Sequence, residues 1–165
     1  MLLPLPFAAG ETPAQALDRR QLPGEAQARP RAGERVTLGG GTWVWQEYRS
    51  PKPVVNFHAV LGRATKRSVV YAACYVESDR AHDGLWLQVG CANQAKVYLN
   101  GRQIHRDRLP HFLLSLDTVG PVRLERGINV LLLKVVNEMG DWEGCARLVD
   151  DEGRPAEGLR VRLTP

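Results

Sequence analysis

The sequence predicts an all-β fold, an antiparallel jelly-roll β-sandwich that is preceded by a proline-rich flexible arm. From Glu34 onward, apolar and polar residues alternate over short segments, the pattern of strands with one buried face. Turn residues separate these segments at the spacing that is typical of sandwiches and barrels. No segment after Glu34 keeps a helical period long enough to connect parallel strands. These observations together favour antiparallel sheets.

Residues 1–33 differ from the rest of the chain. They are poor in aromatic residues and contain five prolines, Pro4, Pro6, Pro13, Pro23 and Pro30. Little apolar surface is available there to offset the entropy lost on ordering. We interpret residues 1–33 as a linker or disordered arm with at most a short helix at Pro13–Arg19, and residues 34–165 as the jelly-roll domain.

The strands of the domain follow from the alternating pattern. We predict them over Thr42–Tyr48, Val54–Leu61, Val69–Glu77, Leu85–Val89, Ala95–Asn100, Arg102–His105, Val122–Glu125, Ile128–Asn137, Trp142–Val149 and Leu159–Leu163. Asn100-Gly101 lies between two of these strands and predicts a type I′ hairpin, because both central positions of that turn need positive φ.

Charge and composition exclude several classes of protein. The net charge is only +4, and the arginines are scattered among 18 acidic residues, whereas nucleic-acid binders concentrate basic residues in a stripe. The apolar runs are shorter than the ~20 residues that span a membrane. Three cysteines, Cys74, Cys91 and Cys145, form no CxxC pair, so a structural zinc site is not expected; whether any of them forms a disulfide stays open. We therefore expect neither nucleic-acid binding nor a membrane span.

No pattern of catalytic residues stands out. The chain has no G-x-S-x-G sequence, and its carboxylate pairs, such as Glu77 with Asp79, fall in or near turns. His105 and His111 are six residues apart, whereas a metal pair on one strand or helix is spaced by about 2 to 4. We expect no enzyme activity, no cofactor and no metal site.

Two segments carry a resemblance to a known superfamily. AKVYLNGRQI and VRLERGINVLLLKVVN resemble the jelly-roll domains of the galactose-binding-like superfamily, including the sugar-binding domain of family-2 glycoside hydrolases and carbohydrate-binding modules. The segments from YAACYVESDR to GLRV also look like modules appended to planctomycete proteins. The resemblance covers about residues 42–165 and implies a carbohydrate-binding accessory module. It favours an extracellular or cell-envelope location.

Calcium is a point of departure from related domains. Those that resemble the protective-antigen and yeast-adhesin type carry an Asp pair just before this hairpin's first strand, which in the adhesins holds calcium and through it the sugar. Here the matching positions are Cys91, Ala92 and Asn93. Calcium takes about 6–8 oxygen ligands, so we expect no calcium site there.

The candidate ligand-binding residues belong to loops at one end of the predicted sandwich. We expect the turns at 91–93, 106–110, 126–127 and 150–155 to meet at this end and to present Asn93, His105, Arg106, Arg108 and His111. Arg106-Asp107-Arg108 could equally be a solvated loop, and the four tryptophans could be core residues or sugar platforms. The expected function is non-catalytic carbohydrate binding, with a glycan as partner. The alternative is a protein-interaction or structural module that contacts a neighbouring protein domain.

Overall fold

The computed structural model describes residues 1–38, 40–62, 65–109 and 115–165. The helical elements are α1 (Pro13–Asp18), a 3-10 turn (Glu25–Gln27) and α2 (Phe57–Leu61). The strands are β1 (Leu2–Pro6), β2 (Arg35–Leu38), β3 (Gly41–Val44), β4 (Val55–Asn56), β5 (Ser68–Ser78), β6 (His82–Cys91), β7 (Ala95–Leu99), β8 (Arg102–Asp107), β9 (Ser115–Leu124), β10 (Gly127–Asn137), β11 (Glu143–Val149) and β12 (Leu159–Arg162).

The strands form two facing antiparallel sheets, which confirms the predicted sandwich. The six-stranded sheet has the order β1-β5-β10-β7-β8, and β12 also pairs with β5. The four-stranded sheet has the order β4-β11-β6-β9, and β2 pairs with β3 as a separate hairpin. Apolar side chains from both sheets fill the space between them, among them Leu87, Val97 and Leu131, and Trp142 is fully buried there. This is the core that the alternation predicts.

The predicted hairpin at Asn100-Gly101 is also confirmed. Both residues have positive φ, 50° and 84°, as a type I′ turn requires. The Asn100 side chain ties this turn to β10, because its Oδ1 accepts from the Val130 backbone N–H at 2.9 Å and its Nδ2 donates to Asn129 Oδ1 at 2.7 Å.

The predicted strand Val54–Leu61 is wrong after its first residues. Only β4 is extended, and α2 follows it. Asn56 caps this helix by accepting from the Ala59 N–H at 3.0 Å, and Gly62 ends it with φ of 66°. The apolar residues Phe57, Val60 and Leu61 pack on the core; their i, i+3, i+4 spacing is that of a helix face.

Residues 1–33, which we interpreted from the sequence as a linker or disordered arm, pair with and pack on the sheet in this structure. Strand β1 pairs with β5 in register from Leu2 opposite Ala72 to Pro6 opposite Ser68. The prolines fit because β1 lies at the sheet edge, where one side of the strand needs no donor. Phe7 N donates to Arg67 O on the β5 side, whereas Leu2 N donates to Gln46 O on the other. Pro4 and Pro6 share the orientation of Leu2 by alternation.

The remainder of residues 1–33, which we call the N-terminal layer, covers the outer face of the six-stranded sheet. The predicted short helix is confirmed as α1: Thr12 and Gln15 form a capping box and Pro13 begins the helix. Ala16 and Leu17 of α1 are fully buried in a second apolar cluster. That cluster also contains Leu3, Leu5, Leu22, Trp45, Val69, Tyr71, Tyr98, Leu132 and Val136. The sheet is therefore buried on both faces.

A buried polar network anchors the N-terminal layer to the sheet. The Glu25 carboxylate accepts hydrogen bonds from Tyr71 and Tyr98, each at 2.5 Å, and forms an ion pair with Lys134 at 3.1 Å. The side chains of Lys134 and Glu25 are 0% and 2% exposed. Burial lowers the pKa of Lys134 to about 8, against the opposing effect of Glu25. Burial, with the Glu25 charge, also raises the pKa of both tyrosines.

The arrangement of loops differs in part from the prediction. Residues 126–127 lie beside the Asn100-Gly101 hairpin, because Asn100 contacts Val130 at the start of β10. The loop after β10 instead reaches the loop between β6 and β7, where Asn93 contacts Asp141. The difference arises because β9 is one long strand over Ser115–Leu124, where the predicted Val122–Glu125 strand is short.

Candidate functional site

The end of the sandwich where β6 leads into β7 contains the predicted residue Asn93. Its Nδ2 donates to the Asp141 carbonyl at 2.7 Å, and its φ is 83°. The Cys91 thiol donates to the Asn93 carbonyl at 3.2 Å; burial raises the pKa of Cys91 to about 12, so the thiol keeps its proton. Asn93 thus joins two loops at this end, which we call the tip.

The predicted residues Arg106 and Arg108 lie together, but they contact the N-terminal layer. Asp18, at the end of α1, forms ion pairs with Arg106, with Lys96 at 3.1 Å and with Arg108 at 3.8 Å. Desolvation opposes ionisation of Asp18, but the hydrogen bonds from Arg106 and Lys96 outweigh it and lower the pKa of the carboxyl. A carboxylate of the chain itself, that of Asp18, therefore occupies the place that we predicted for a ligand.

His105 lies on the other face of β8 from Arg106. It is opposite Val97, a residue of the inter-sheet core, whereas Arg106 is opposite Lys96. Its Nε2 is 3.0 Å from Asp117 Oδ2 on β9, so this pair connects the edges of the two sheets. His111 lies outside the described residues. The structure thus brings Arg106 and Arg108 together at the end of α1, separates His105 from them and places Asn93 in a cleft that the start of α1 also lines.

A cleft of about 260 Å³ lies at the tip, between the start of α1, the loop after β6 and the end of β10. It is lined by Thr12, Pro13, Ala14, Asn93, Gln94, Val136 and Glu138. Gln94 Nε2 donates to the Arg108 carbonyl at 2.8 Å, and within the described part of the chain its Oε1 has no hydrogen-bond partner. Glu138 is exposed. The cleft thus combines amide and carboxylate groups with an apolar floor.

Sequence reasoning missed the contribution of Thr12, Pro13 and Ala14 to this cleft. The capping box of α1 was readable, but its position over β10 depends on the N-terminal layer folding onto the sheet. The one local signal is Lys134, a charged residue in the otherwise apolar run Val130–Val136. A buried lysine needs a buried partner, and Glu25 of the N-terminal layer supplies it.

The outer face of the four-stranded sheet is open. Trp86 and Gln88 alternate with the buried residues Leu85, Leu87 and Val89 and so point away from the core. Gln88 Oε1 accepts from Arg147 Nη2 at 2.6 Å across the strands. A Cβ at Gly120 would lie only 2.9 Å from Cε3 of Trp86. The half-buried indole therefore rests directly on the backbone of β9, beside this polar pair.

Three further observations concern metals, membranes and disulfides. Within the described ranges, no group of three or more His, Cys, Asp or Glu side chains could hold a metal ion. No helix in those ranges has the length and apolar character to cross a membrane. Cys74, Cys91 and Cys145 are all free thiols in this structure, a question that the sequence left open.

Comparisons with known proteins give a partial structural likeness. No family model matches the chain, and no curated protein matches it. A solved structure that is similar in part is the PA14 domain of the antifreeze protein MpAFP, with a TM-score of 0.43 and 16% sequence identity. The match covers 52% of this chain and 45% of that one. At this level of similarity the functional argument depends on the contacts within the chain itself.

Proposed function

We propose that this domain is a non-catalytic carbohydrate-binding module and that the tip cleft is its binding site. The observation that carries the proposal is the combination of Asn93, Gln94 and Glu138 around Pro13 and Val136. Sugar hydroxyls both donate and accept hydrogen bonds, and sites for such ligands use a few fixed polar groups on an apolar surface. The cleft is somewhat smaller than the about 300 Å³ at which pockets for drug-sized ligands begin, a size suited to one sugar ring.

The roles of the lining residues differ. In this proposal the exposed Glu138 side chain is the group that binds hydroxyls, whereas Gln94, whose oxygen is buried, borders the cleft. Asn93 positions the loop, because its Nδ2 is held by the Asp141 carbonyl. Arg106 and Arg108 hold α1 in place through Asp18 and so shape the cleft without facing the sugar. In this proposal Asn93, Arg106 and Arg108, which were first predicted as ligands, act as supports.

A glycan array with the full chain, followed by calorimetric titration of the bound glycan, tests this proposal. Glu138→Ala should weaken binding by about tenfold or more, because a hydrogen bond to a charged group is worth about 1.5–3 kcal/mol. Gln94→Ala should weaken it less. Thr118→Ala, on the exposed outer face of the other sheet, is the matched control and should bind normally. An array without hits, or equal affinity in all variants, would refute the proposal.

The alternative, a protein-interaction module, is favoured by one observation. The open face of the four-stranded sheet carries the half-buried Trp86. It also carries Leu116, which is 64% exposed and lies two positions along β9 from Thr118, the residue opposite Gln88. Exposed aromatic and aliphatic side chains are common at protein interfaces. In that case Trp86→Ala would abolish binding of a neighbouring domain in a titration, whereas Glu138→Ala would leave that binding unchanged.

A further inference from the structure

An apolar groove of about 600 Å³ opens between the two sheets, on the side where β11 faces β1 and β12. Its walls come from both sheets and from α2. The apolar lining includes Leu2, Phe57, Val76, Leu87, Leu131, Leu133, Leu148, Leu159 and Val161. This groove is separate from the tip cleft, with which it shares no lining residue.

Small residues keep the groove open. Ala72, Gly144, Ala146 and Ala156 all line it, where larger side chains would fill the space. Ala146 is exposed and Ala72 and Ala156 are partly exposed, although Ala72 lies in the middle of β5. Beyond its short pairing with β4 at Glu143 and Gly144, β11 leaves the groove uncovered. The opening is thus a consequence of residue size and of the shortness of β4.

The volume is that of a ligand site. Protein interiors contain few voids larger than a water molecule, and a dry apolar cavity of about 150 Å³ already binds benzene. Pockets for small molecules have volumes of about 300–1,000 Å³ and are mostly apolar with a few polar groups. A groove of about 600 Å³ lies within that range and is large enough for an extended aliphatic chain.

The charge at the groove opening is positive. Arg49 and Arg147 carry the charged side chains among its described lining residues, and no aspartate or glutamate lines it. Gln88 holds the Arg147 guanidinium on the outer face of the four-stranded sheet, through bonds of 3.2 and 2.6 Å, so Arg49 is the cation at the opening. Arg49 is 79% exposed and has only a 3.4 Å contact with Glu47. An anionic group would be favoured beside Arg49.

We propose that this groove binds an amphiphile with one aliphatic chain and an anionic head group, of the long-chain carboxylate class. The chain lies between the sheets against Leu87, Leu131 and Leu133. The carboxylate lies at the opening, near Arg49. This site is independent of carbohydrate binding, so either proposal can fail without the other.

Calorimetric titration of the full chain with dodecanoate, below the concentration at which it forms micelles, tests the site. Ala146→Trp places an indole in the groove and should weaken binding by about tenfold or more. Ala81→Trp makes the same change at an exposed turn position and should bind as the unaltered protein does. Because Ala146→Trp could disturb folding, Ala146→Leu and Ala156→Phe are tested alongside, with the melting temperature of each variant.

The head-group assignment has its own test. Arg49→Ala should weaken dodecanoate binding several-fold and leave dodecanol binding unchanged, whereas Arg126→Ala, at an exposed turn position, should affect neither. Dodecyltrimethylammonium should bind much more weakly than dodecanoate. The proposal is overturned if dodecanoate produces no binding heat, if folded groove variants bind it normally, or if the cationic amphiphile binds equally well. It is also overturned if sedimentation shows a dimer that Ala146→Trp dissociates.

Discussion

The outer faces of the two sheets have opposite environments. On the six-stranded sheet, Tyr71, Tyr98, Leu132 and Lys134 point outward and are buried under the N-terminal layer. On the four-stranded sheet, Gln88, Thr118 and Arg147 point outward into solvent. One face of each sheet packs against the other sheet. Only the six-stranded sheet also has an apolar outer face that another part of the chain must cover. The difference is that the N-terminal layer covers only the six-stranded sheet, and the following predictions probe how much that cover contributes to the fold.

The largest effect is expected from the buried ion pair. Glu25→Ala leaves Lys134 buried without its carboxylate partner, and the loss of one member of a buried pair costs about 3–5 kcal/mol. Its counterpart on the open face, Arg147→Ala, removes an exposed contact with Gln88 and should change stability by less than about 1 kcal/mol. Urea unfolding of both variants measures the difference. Similar losses in the two variants would contradict the contrast between the faces.

Apolar truncation should show the same contrast at a somewhat smaller scale. Leu3 of β1 is fully buried under the N-terminal layer, and Leu3→Ala should lower the free energy of unfolding by about 2–5 kcal/mol. Leu116→Ala, at a leucine with 64% exposure on the open face, should stay within about 0.5 kcal/mol. A stable Leu3→Ala variant would mean that β1 contributes little to the fold.

The pH dependence of stability should report the same network. The pKa of Lys134 is lowered to about 8 from an ordinary value of 10.5. Between these values the unfolded chain binds more protons, so stability rises with pH, by at most about 1.4 kcal/mol per unit. From about pH 9 the raised pKa values of Cys74, Cys91 and Cys145 oppose this rise, and above about pH 10 those of Tyr71 and Tyr98 do so too, because only the unfolded thiols and phenols then lose protons.

Melting temperatures measured from pH 7 to 11 would reveal this profile. The double variant Glu25→Gln with Lys134→Met removes both charges and keeps the thiols, so the unaltered protein should gain stability relative to this variant between pH 8 and 10. A constant difference between the two proteins over that interval would argue against a buried Lys134.

The smallest effect is expected at the surface end of the N-terminal layer. Asp18 is 47% exposed where it contacts Lys96 and Arg106, and partly exposed ion pairs are worth about 1 kcal/mol or less. Asp18→Asn should therefore lower the free energy of unfolding by at most about 1 kcal/mol, with a smaller difference at high salt. A loss several times larger would show that the cations at the tip depend on this carboxylate for more than a surface contact.

The sandwich was predictable because its strands alternate strongly and because Asn100-Gly101 determines a turn locally. The N-terminal layer was not, since Pro4 and Pro6 are compatible with a strand only at a sheet edge, and sequence does not reveal which strand is at the edge. The same misinterpretation affected the candidate site. Arg106 and Arg108 were recognisable as a cationic cluster, but their partner Asp18 belongs to the segment that we interpreted as an arm. The α2 helix was missed because the strand-like composition of Val54–Leu61 outweighed the helix-capping signal of Asn56.

Hydrogen exchange measured by mass spectrometry on the full chain tests the central claim most directly. If β1 and the N-terminal layer are integral to the fold, peptides that cover β1 and α1 should exchange as slowly as those from β5 and β10, which pair with each other over Gly127 to Asn137. These peptides should become labelled only on global unfolding. Complete exchange of residues 2–18 within seconds, with β5 and β10 still protected, would contradict the account and restore a loose arm.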